Sequence, residues 1–398
     1  MIKTRVGDDE NYIIWLRGES EISIVNTYDF SARHINNFWN YRGRHVKAIA
    51  AAMDADASRL VGIGFIPGSG EIQTIHCYDG GDGVSIFEGY DVLPEVGAWL
   101  CCEVSRQGDV FFLGGAEQRK FELGDAFIVA MSFDEEAELV NYARYGEDTN
   151  FHCINVLKRH PDGNILFAGC YGYVAILLWA GEQFHLINSV PNFLDRPVTD
   201  LSFGKNILYS VCDDNKGMAL YFDERYVRNR DPRGPEPPHG NFRDLPKGVG
   251  GMSLADEYRS RPRMQPKAAG MFRDYNIQRI TLPKVMKDTG PGVTEESLDQ
   301  GNYRVQVTPD ERFVYVGKYE LKVLENQAGQ YRLMDNATHI KPFIDMKLLN
   351  TGELLVFDEN SSDLVKYDPG LNELQRLQGV RKINLGKKRT KKCYYTNF

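Results

Sequence analysis

Histidine, cysteine and carboxylate side chains are the groups most able to catalyse a reaction or bind a metal, and in this sequence they are dispersed. The eight histidines lie far apart, and the sequence contains no HExxH motif and no CxxC pair. His76 and Cys77 are neighbours in a strand-like stretch, so we expect their side chains to point to opposite faces. His160 precedes Pro-Asp-Gly and is interpreted as a turn residue. We expect no metal site.

Motifs for nucleophilic or phosphate chemistry are equally scarce. The stretches Gly62–Gly64 and Gly114–Gly115 are not followed by Lys and Ser or Thr and open no predicted helix, so they do not resemble phosphate-binding loops. The acidic pairs at 135–136 and 213–214 fall in predicted turns, and no GxSxG elbow occurs. We therefore expect no catalytic residue and no cofactor.

Arginine and aromatic side chains are the types most often found at the centre of protein interfaces, and they occur in three places of interest. Trp39 and Arg42, with Tyr41 between them, form one candidate cluster for binding a partner, although core packing explains Trp39 equally well. The other two sets of candidates are basic and lie in segments of unusual composition: Arg259, Arg261, Arg263, Lys387, Lys388 and Arg389.

Residues 227–275 form a segment rich in Pro, Gly and Arg, which cannot form a strand ladder or bury enough apolar surface to fold alone. The net charge is +8 between Arg225 and Lys287 and +7 in the tail 381–398, which leaves −23 for the rest of a chain whose total is −8. We expect these two basic arms to contact proteins with acidic surfaces. They could instead fold back onto the acidic body or be solvated.

A repeat organises the remaining residues. Polar turns recur between two apolar stretches, and later in each period an alternating stretch ends on an aromatic or large apolar residue followed by a turn. The turns lie at 9–11, 54–56, 107–109, 161–163, 203–205, 309–311 and 350–352, and the stretch ends lie at 28, 78, 133, 179, 222, 324 and 367. Each period has room for about four short strands.

These features resemble the WD40-repeat family. Its blades end their third strand on a Trp-Asp dipeptide, where this chain has pairs such as Tyr78-Asp79, and the stretch from His160 to Gly172 is similar to the first turn and second strand of a blade. The resemblance implies an all-β fold, a seven-bladed β-propeller. We expect this propeller to span residues 1–380, interrupted in blade five by the insertion 227–275 and followed by the basic tail 381–398.

The function that these observations favour is a non-catalytic scaffold that binds other proteins through its loops and basic arms. A propeller hydrolase or lyase with its site over the central channel is the first alternative, and a nucleic-acid-associated protein is the second. The acidic body disfavours nucleic acid, because it would repel phosphate. No apolar run is long enough to span a membrane. We expect a cytoplasmic protein, and leave a cytoskeletal, ciliary or nuclear assembly open.

Overall fold

The chain folds as an all-β protein in a computed structural model. The structure describes residues 12–15, 22–54, 56–68, 72–81, 83–105, 108–118, 123–133, 138–145, 153–160, 165–170, 173–191, 197–204, 207–212, 216–221, 277–281, 286–290, 293–296, 304–317, 321–327, 330–334, 340, 343–358 and 363–378. In that part of the chain the strands form six four-stranded sheets, one three-stranded sheet and two short ribbons, all antiparallel.

The strands follow each sheet in chain order, so each sheet is a simple meander. Sheet 1 has three strands: β1 (Tyr12–Trp15), β2 (Ile22–Asn26) and β3 (Ala32–Ile35). A ribbon follows: β4 (Asn40–Tyr41) and β5 (Arg44–His45). Sheet 2 contains β6 (Lys47–Met53), β7 (Leu60–Phe65), β8 (Gln73–Tyr78) and β9 (Ser85–Glu88), and precedes the short helix α1 (Gly89–Val92).

The next three sheets each have four strands. Sheet 3 contains β10 (Ala98–Val104), β11 (Val110–Gln118), β12 (Leu123–Ser132) and β13 (Leu139–Tyr145). Sheet 4 contains β14 (Ile154–Arg159), β15 (Ile165–Cys170), β16 (Tyr173–Trp179) and β17 (Phe184–Pro191). Sheet 5 contains β18 (Val198–Phe203), β19 (Ile207–Cys212), β20 (Lys216–Tyr221) and β21 (Ile277–Thr281).

The last two sheets follow a second ribbon, β22 (Met286–Gly290) and β23 (Val293–Glu296). Sheet 6 contains β24 (Arg304–Val307), β25 (Phe313–Gly317), β26 (Leu321–Gln327) and β27 (Gln330–Met334). Sheet 7 contains β28 (Phe343–Leu348), β29 (Leu354–Asp358), β30 (Leu364–Tyr367) and β31 (Glu373–Leu377). The helix α1 is four residues long, and no helix in the described part of the chain is long and apolar enough to cross a membrane.

The sheets are arranged as a β-propeller. The first strands of sheets 2 to 7 contact one another in succession, β6 with β10, then β14, β18, β24 and β28, so they form the inner wall. The alternation of apolar residues buries both faces of each sheet against its neighbours, as radial stacking requires. Five inner strands contain a bulge within their first few residues, between residues 48/50, 99/101, 154/156, 198/200 and 343/345. The repeat is therefore visible in the backbone as well as in the sequence.

The signals read from the sequence lie at consistent places in the sheets. From the second turn signal onward, each falls between the first and second strands of a four-stranded sheet. Among the residues that mark stretch ends, Tyr78, Trp179 and Tyr367 are the last residues of the third strands β8, β16 and β30, whereas Tyr28 follows β2, the second described strand of sheet 1. After the insertion, β21 pairs with β20 and completes the four strands of sheet 5. The insertion 227–275 and the tail 381–398 lie outside the described residues.

Sheet 1 lies between the last sheet and the second one. Ile13, Val25 and Phe30 pack in one cluster with Leu355 and Phe357 of sheet 7. On its other face, the apolar side chains of sheet 1 pack with those of sheet 2. Sheet 1 therefore joins the two ends of the described chain.

A buried lysine adds a polar contact at this junction. Lys366 of β30 is 5% exposed, and its ammonium group donates a hydrogen bond to the backbone carbonyl of Tyr28, at 3.3 Å. The same ammonium group lies 5.2 Å from the centre of the Phe30 ring. We call the packing of sheet 1 on sheet 7, together with these contacts, the seam.

Polar side chains also connect neighbouring inner strands. The buried guanidinium of Arg304 lies 3.2 Å from the Asp345 carboxylate in the next sheet and donates to the Thr199 carbonyl in the previous one. Asp200 accepts the backbone N–H of Val305 at 3.0 Å. Backbone groups on the first strand of a sheet, which has a paired strand on one side only, are thus paired by side chains of a neighbouring sheet.

Candidate interaction surface

Trp39 is a core residue in this fold. Its side chain is 1% exposed, and the ring centre lies 4.8 Å from that of Phe38 and 5.2 Å from that of His76. The glycines of β7 make room for it, since a Cβ at Gly62 would lie 2.5 Å from the indole ring and one at Gly64 would lie 3.3 Å from it. The sequence left two roles open for Trp39, partner binding and core packing, and its position is that of a core residue. It supports the surface above it and does not contact solvent.

The ribbon β4–β5 displays Arg42 at its tip. The turn residues Arg42 and Gly43 both have positive φ angles, 51° and 77°, which is the pairing of a tight two-residue hairpin loop. The side-chain oxygen of Asn40 accepts the backbone N–H of Gly43 at 2.9 Å and stabilises the turn. Arg42 adopts the left-handed conformation without the freedom of a glycine, and its side chain is 78% exposed.

A carboxylate links this ribbon to the helix that follows sheet 2. Glu88, at the end of β9, accepts a hydrogen bond from the Tyr41 hydroxyl at 2.5 Å. A second hydrogen bond joins Glu88 to the hydroxyl of Tyr90 in α1. The Arg42 guanidinium lies 4.8 Å from the centre of the Tyr41 ring and 4.0 Å from the Glu88 carboxylate. We call Tyr41, Arg42, Arg44, Glu88 and Tyr90 the hairpin–helix surface.

The electrostatics of this cluster follow from those hydrogen bonds. The hydroxyl of Tyr41, then that of Tyr90 and the charge of Arg42, hold the pKa of Glu88 below its usual value. The same carboxylate raises the pKa of both tyrosines, because each hydroxyl donates to it. Glu88 is thus ionised at neutral pH while both phenols keep their protons.

Sheet 3 positions the helix. The indole N–H of Trp99, in β10, donates to the carbonyl of Gly89 at 3.0 Å, and Trp99 is 1% exposed. A Cβ at Gly89 would lie 2.7 Å from the indole ring, so this close approach requires glycine. Two buried tryptophans therefore support the surface, Trp39 beneath the ribbon and Trp99 beneath the helix. Tyr90 itself is 56% exposed.

The other residues proposed from the sequence to bind a partner lie outside the described residues; they are Arg259, Arg261, Arg263, Lys387, Lys388 and Arg389. The sequence pointed to Tyr41 and Arg42 but not to Glu88 or Tyr90, since no local pattern links residues 47 positions apart.

His76 and Cys77 face different neighbours, as expected: His76 packs on Trp39, and Cys77 belongs to the core between sheets 2 and 3. Within the described ranges, no group of three or more His, Cys, Asp or Glu residues could hold a metal ion.

Solved structures share this architecture. A protein from Lactobacillus plantarum is 12% identical with a TM-score of 0.52, and the match covers 92% of this chain and 95% of that one. The β-propeller domain of Cps50 (Swd1) from Myceliophteria thermophila is 12% identical with a TM-score of 0.51, covering 92% and 96%. The WD40 repeats of RRP9 are 11% identical with a TM-score of 0.51, covering 89% and 86%. No family model and no curated protein sequence matches the chain. The likeness is one of fold, a β-propeller of the WD40 kind.

Proposed function

We propose that this chain is a non-catalytic scaffold that binds other proteins, built on a seven-bladed WD40-like propeller. The hairpin–helix surface is the observation that carries the proposal. It presents an exposed arginine and an exposed tyrosine on a base of two buried tryptophans. Rigid aromatic and arginine side chains of this kind dominate the binding energy of protein interfaces, because little conformational entropy is lost when they bind.

In this proposal, the three-stranded sheet 1 is the seventh blade. Its packing on sheets 7 and 2 supports that assignment, since a blade must bury both faces. The insertion 227–275 and the tail 381–398 act as two basic arms that reach proteins with acidic surfaces. The net charge is +8 over residues 225–287, which contain the insertion, and +7 over the tail, and against an acidic remainder these charges favour steered encounter with such partners.

The two arms start on different faces of the propeller. The insertion joins the third and fourth strands of sheet 5, whereas the tail follows the fourth strand of sheet 7. Because successive strands run in opposite directions, a third strand and a fourth strand end on opposite faces of the propeller, so the two connections start on opposite faces. The proposed scaffold could therefore hold two partners at once, one on each side.

Native isolation of the tagged full-length chain tests this function. We expect a partner protein in constant ratio to the chain, resistant to nuclease and released as salt increases. A variant without 227–275 and 381–398 should lose this partner, while the Arg332→Gln variant, changed at an exposed position on β27, should keep it. The proposal is wrong if the full-length chain migrates alone at every salt concentration.

A further inference from the structure

Contacts within the fold orient the guanidinium of Arg42 but do not occupy its hydrogen-bond donors. In the described part of the chain it donates no hydrogen bond, and its nearest carboxylate oxygen, on Glu88, is 4.0 Å away. Stacking on the Tyr41 ring, at 4.8 Å, still fixes its direction. An arginine oriented in this way can form two parallel hydrogen bonds to a carboxylate without paying much entropy.

Glu88 does not need Arg42 to be satisfied. It already accepts hydrogen bonds from Tyr41 and Tyr90, and its side chain is 14% exposed. The long Arg42–Glu88 pair is exposed on the arginine side and is worth little to stability. A carboxylate of a partner protein could therefore form an ion pair with the Arg42 guanidinium, and Glu88 would keep its two tyrosine hydrogen bonds.

The backbone supports the same reading. Arg42 occupies a left-handed position, with φ of 51°, which costs a non-glycine residue free energy that glycine or asparagine would avoid. Strain of this kind at an exposed turn favours a role for the side chain it displays. Arg44 lies directly opposite Tyr41 in the ribbon and is also exposed, so a second cation stands beside the first.

We propose that the hairpin–helix surface binds a carboxylate-bearing extended segment of a partner protein, with Arg42 as the bidentate donor, Arg44 as a second cation and Tyr90 as the aromatic contact. This inference rests on the proposed scaffold function and names one of its binding sites. The helix side of the surface carries the exposed carboxylates of Asp91 and Glu95. Charge complementarity therefore orients the segment, with its acidic residues over the ribbon and neutral residues over the helix.

Fluorescence anisotropy on the full-length protein tests this site with a labelled peptide that has glutamates at one end and tyrosines at the other. We expect Arg42→Gln to weaken binding about tenfold, as for the loss of one charge-assisted bidentate pair. The Arg332→Gln control removes the same charge from β27 and should change affinity by less than about twofold. Both variants keep the basic arms, so binding by the arms cancels in the comparison.

A second pair of variants tests the aromatic contact. Tyr90→Ala should weaken binding, whereas Tyr28→Ala, at a tyrosine that is 89% exposed in the turn between β2 and β3, should not. Equal affinities for Arg42→Gln and Arg332→Gln would overturn the proposed site and leave the scaffold function to its own test. If a phosphoserine version of the peptide alone binds in an Arg42-dependent way, the ligand is not a carboxylate segment and the proposal fails in that respect.

Discussion

The side-chain amide of Gln73 pairs with the backbone of Trp99 as a neighbouring strand would. Its oxygen accepts the Trp99 N–H at 2.6 Å, and its nitrogen donates to the Trp99 carbonyl at 3.0 Å. The pairing joins β8 of sheet 2 to β10 of sheet 3, next to the helix that carries Tyr90. One glutamine thus connects two blades and positions part of the hairpin–helix surface.

Replacing Gln73 should be costly. In Gln73→Leu both backbone groups of Trp99 lose their partner, and we expect a loss of about 2 to 3 kcal/mol in the free energy of unfolding. Urea titration followed by tryptophan fluorescence measures it. Gln327→Leu, at an exposed glutamine in β26, should change stability by less than about 0.5 kcal/mol. Equal losses in the two variants would contradict the role given to Gln73.

The buried pair Arg304–Asp345 should respond differently from a surface pair. Asp345→Ala leaves a cation that is 3% exposed without its carboxylate, and we expect a loss of about 3 to 5 kcal/mol. Glu325→Ala breaks the exposed pair with Arg312 and should cost no more than about 1 kcal/mol. Thermal and urea unfolding measure both. A smaller loss in Asp345→Ala than in Glu325→Ala would show that the buried pair does not connect the inner strands.

The burial of His76 predicts that the free energy of unfolding depends on pH. Burial lowers the pKa of His76 from its usual 6.5 to about 4. The unfolded chain therefore binds a proton at this residue between pH 6.5 and about 4, while the folded chain does not. The contribution of His76 to the free energy of unfolding is fully present above pH 6.5. It falls as the pH is lowered, by about 3 kcal/mol at pH 4.

The variant His76→Gln isolates this contribution. We expect the difference in unfolding free energy between wild type and variant to shrink as the pH falls from 7 to 4, when both are titrated with urea at each pH. Parallel curves over this range would mean that the histidine is protonated as easily in the folded protein as in the unfolded chain.

The fit of Trp39 between glycines predicts that a single methyl group disturbs the surface above it. Gly62→Ala would place a Cβ 2.5 Å from the indole ring, and we expect a loss of about 1 to 3 kcal/mol. A change in tryptophan fluorescence should accompany it, because the ring must move. Gly83→Ala adds its methyl group to open space and serves as the matched control. An unchanged stability in Gly62→Ala would refute the tight packing.

The sequence predicted the features that depend on residues close together in the chain. The turn after Met53 and the strand end at Tyr78 are recognised from their neighbouring residues, so the strands and the propeller could be predicted. The burial of Trp39 could not, because it depends on glycines in another strand. Glu88 of sheet 2 and Tyr41 of the ribbon meet only in the folded protein, and no spacing in the sequence encodes that contact.

The seam sets an order of events for the growing chain. Lys366 and Tyr28, which it joins, are 338 positions apart, so sheet 1 leaves the ribosome long before its partner is synthesised. Until sheet 7 arrives, one apolar face of sheet 1, including Ile13 and Val25, has no cover from that partner. A pause late in synthesis therefore prolongs the time during which this apolar face of sheet 1 stays uncovered by sheet 7 and open to aggregation.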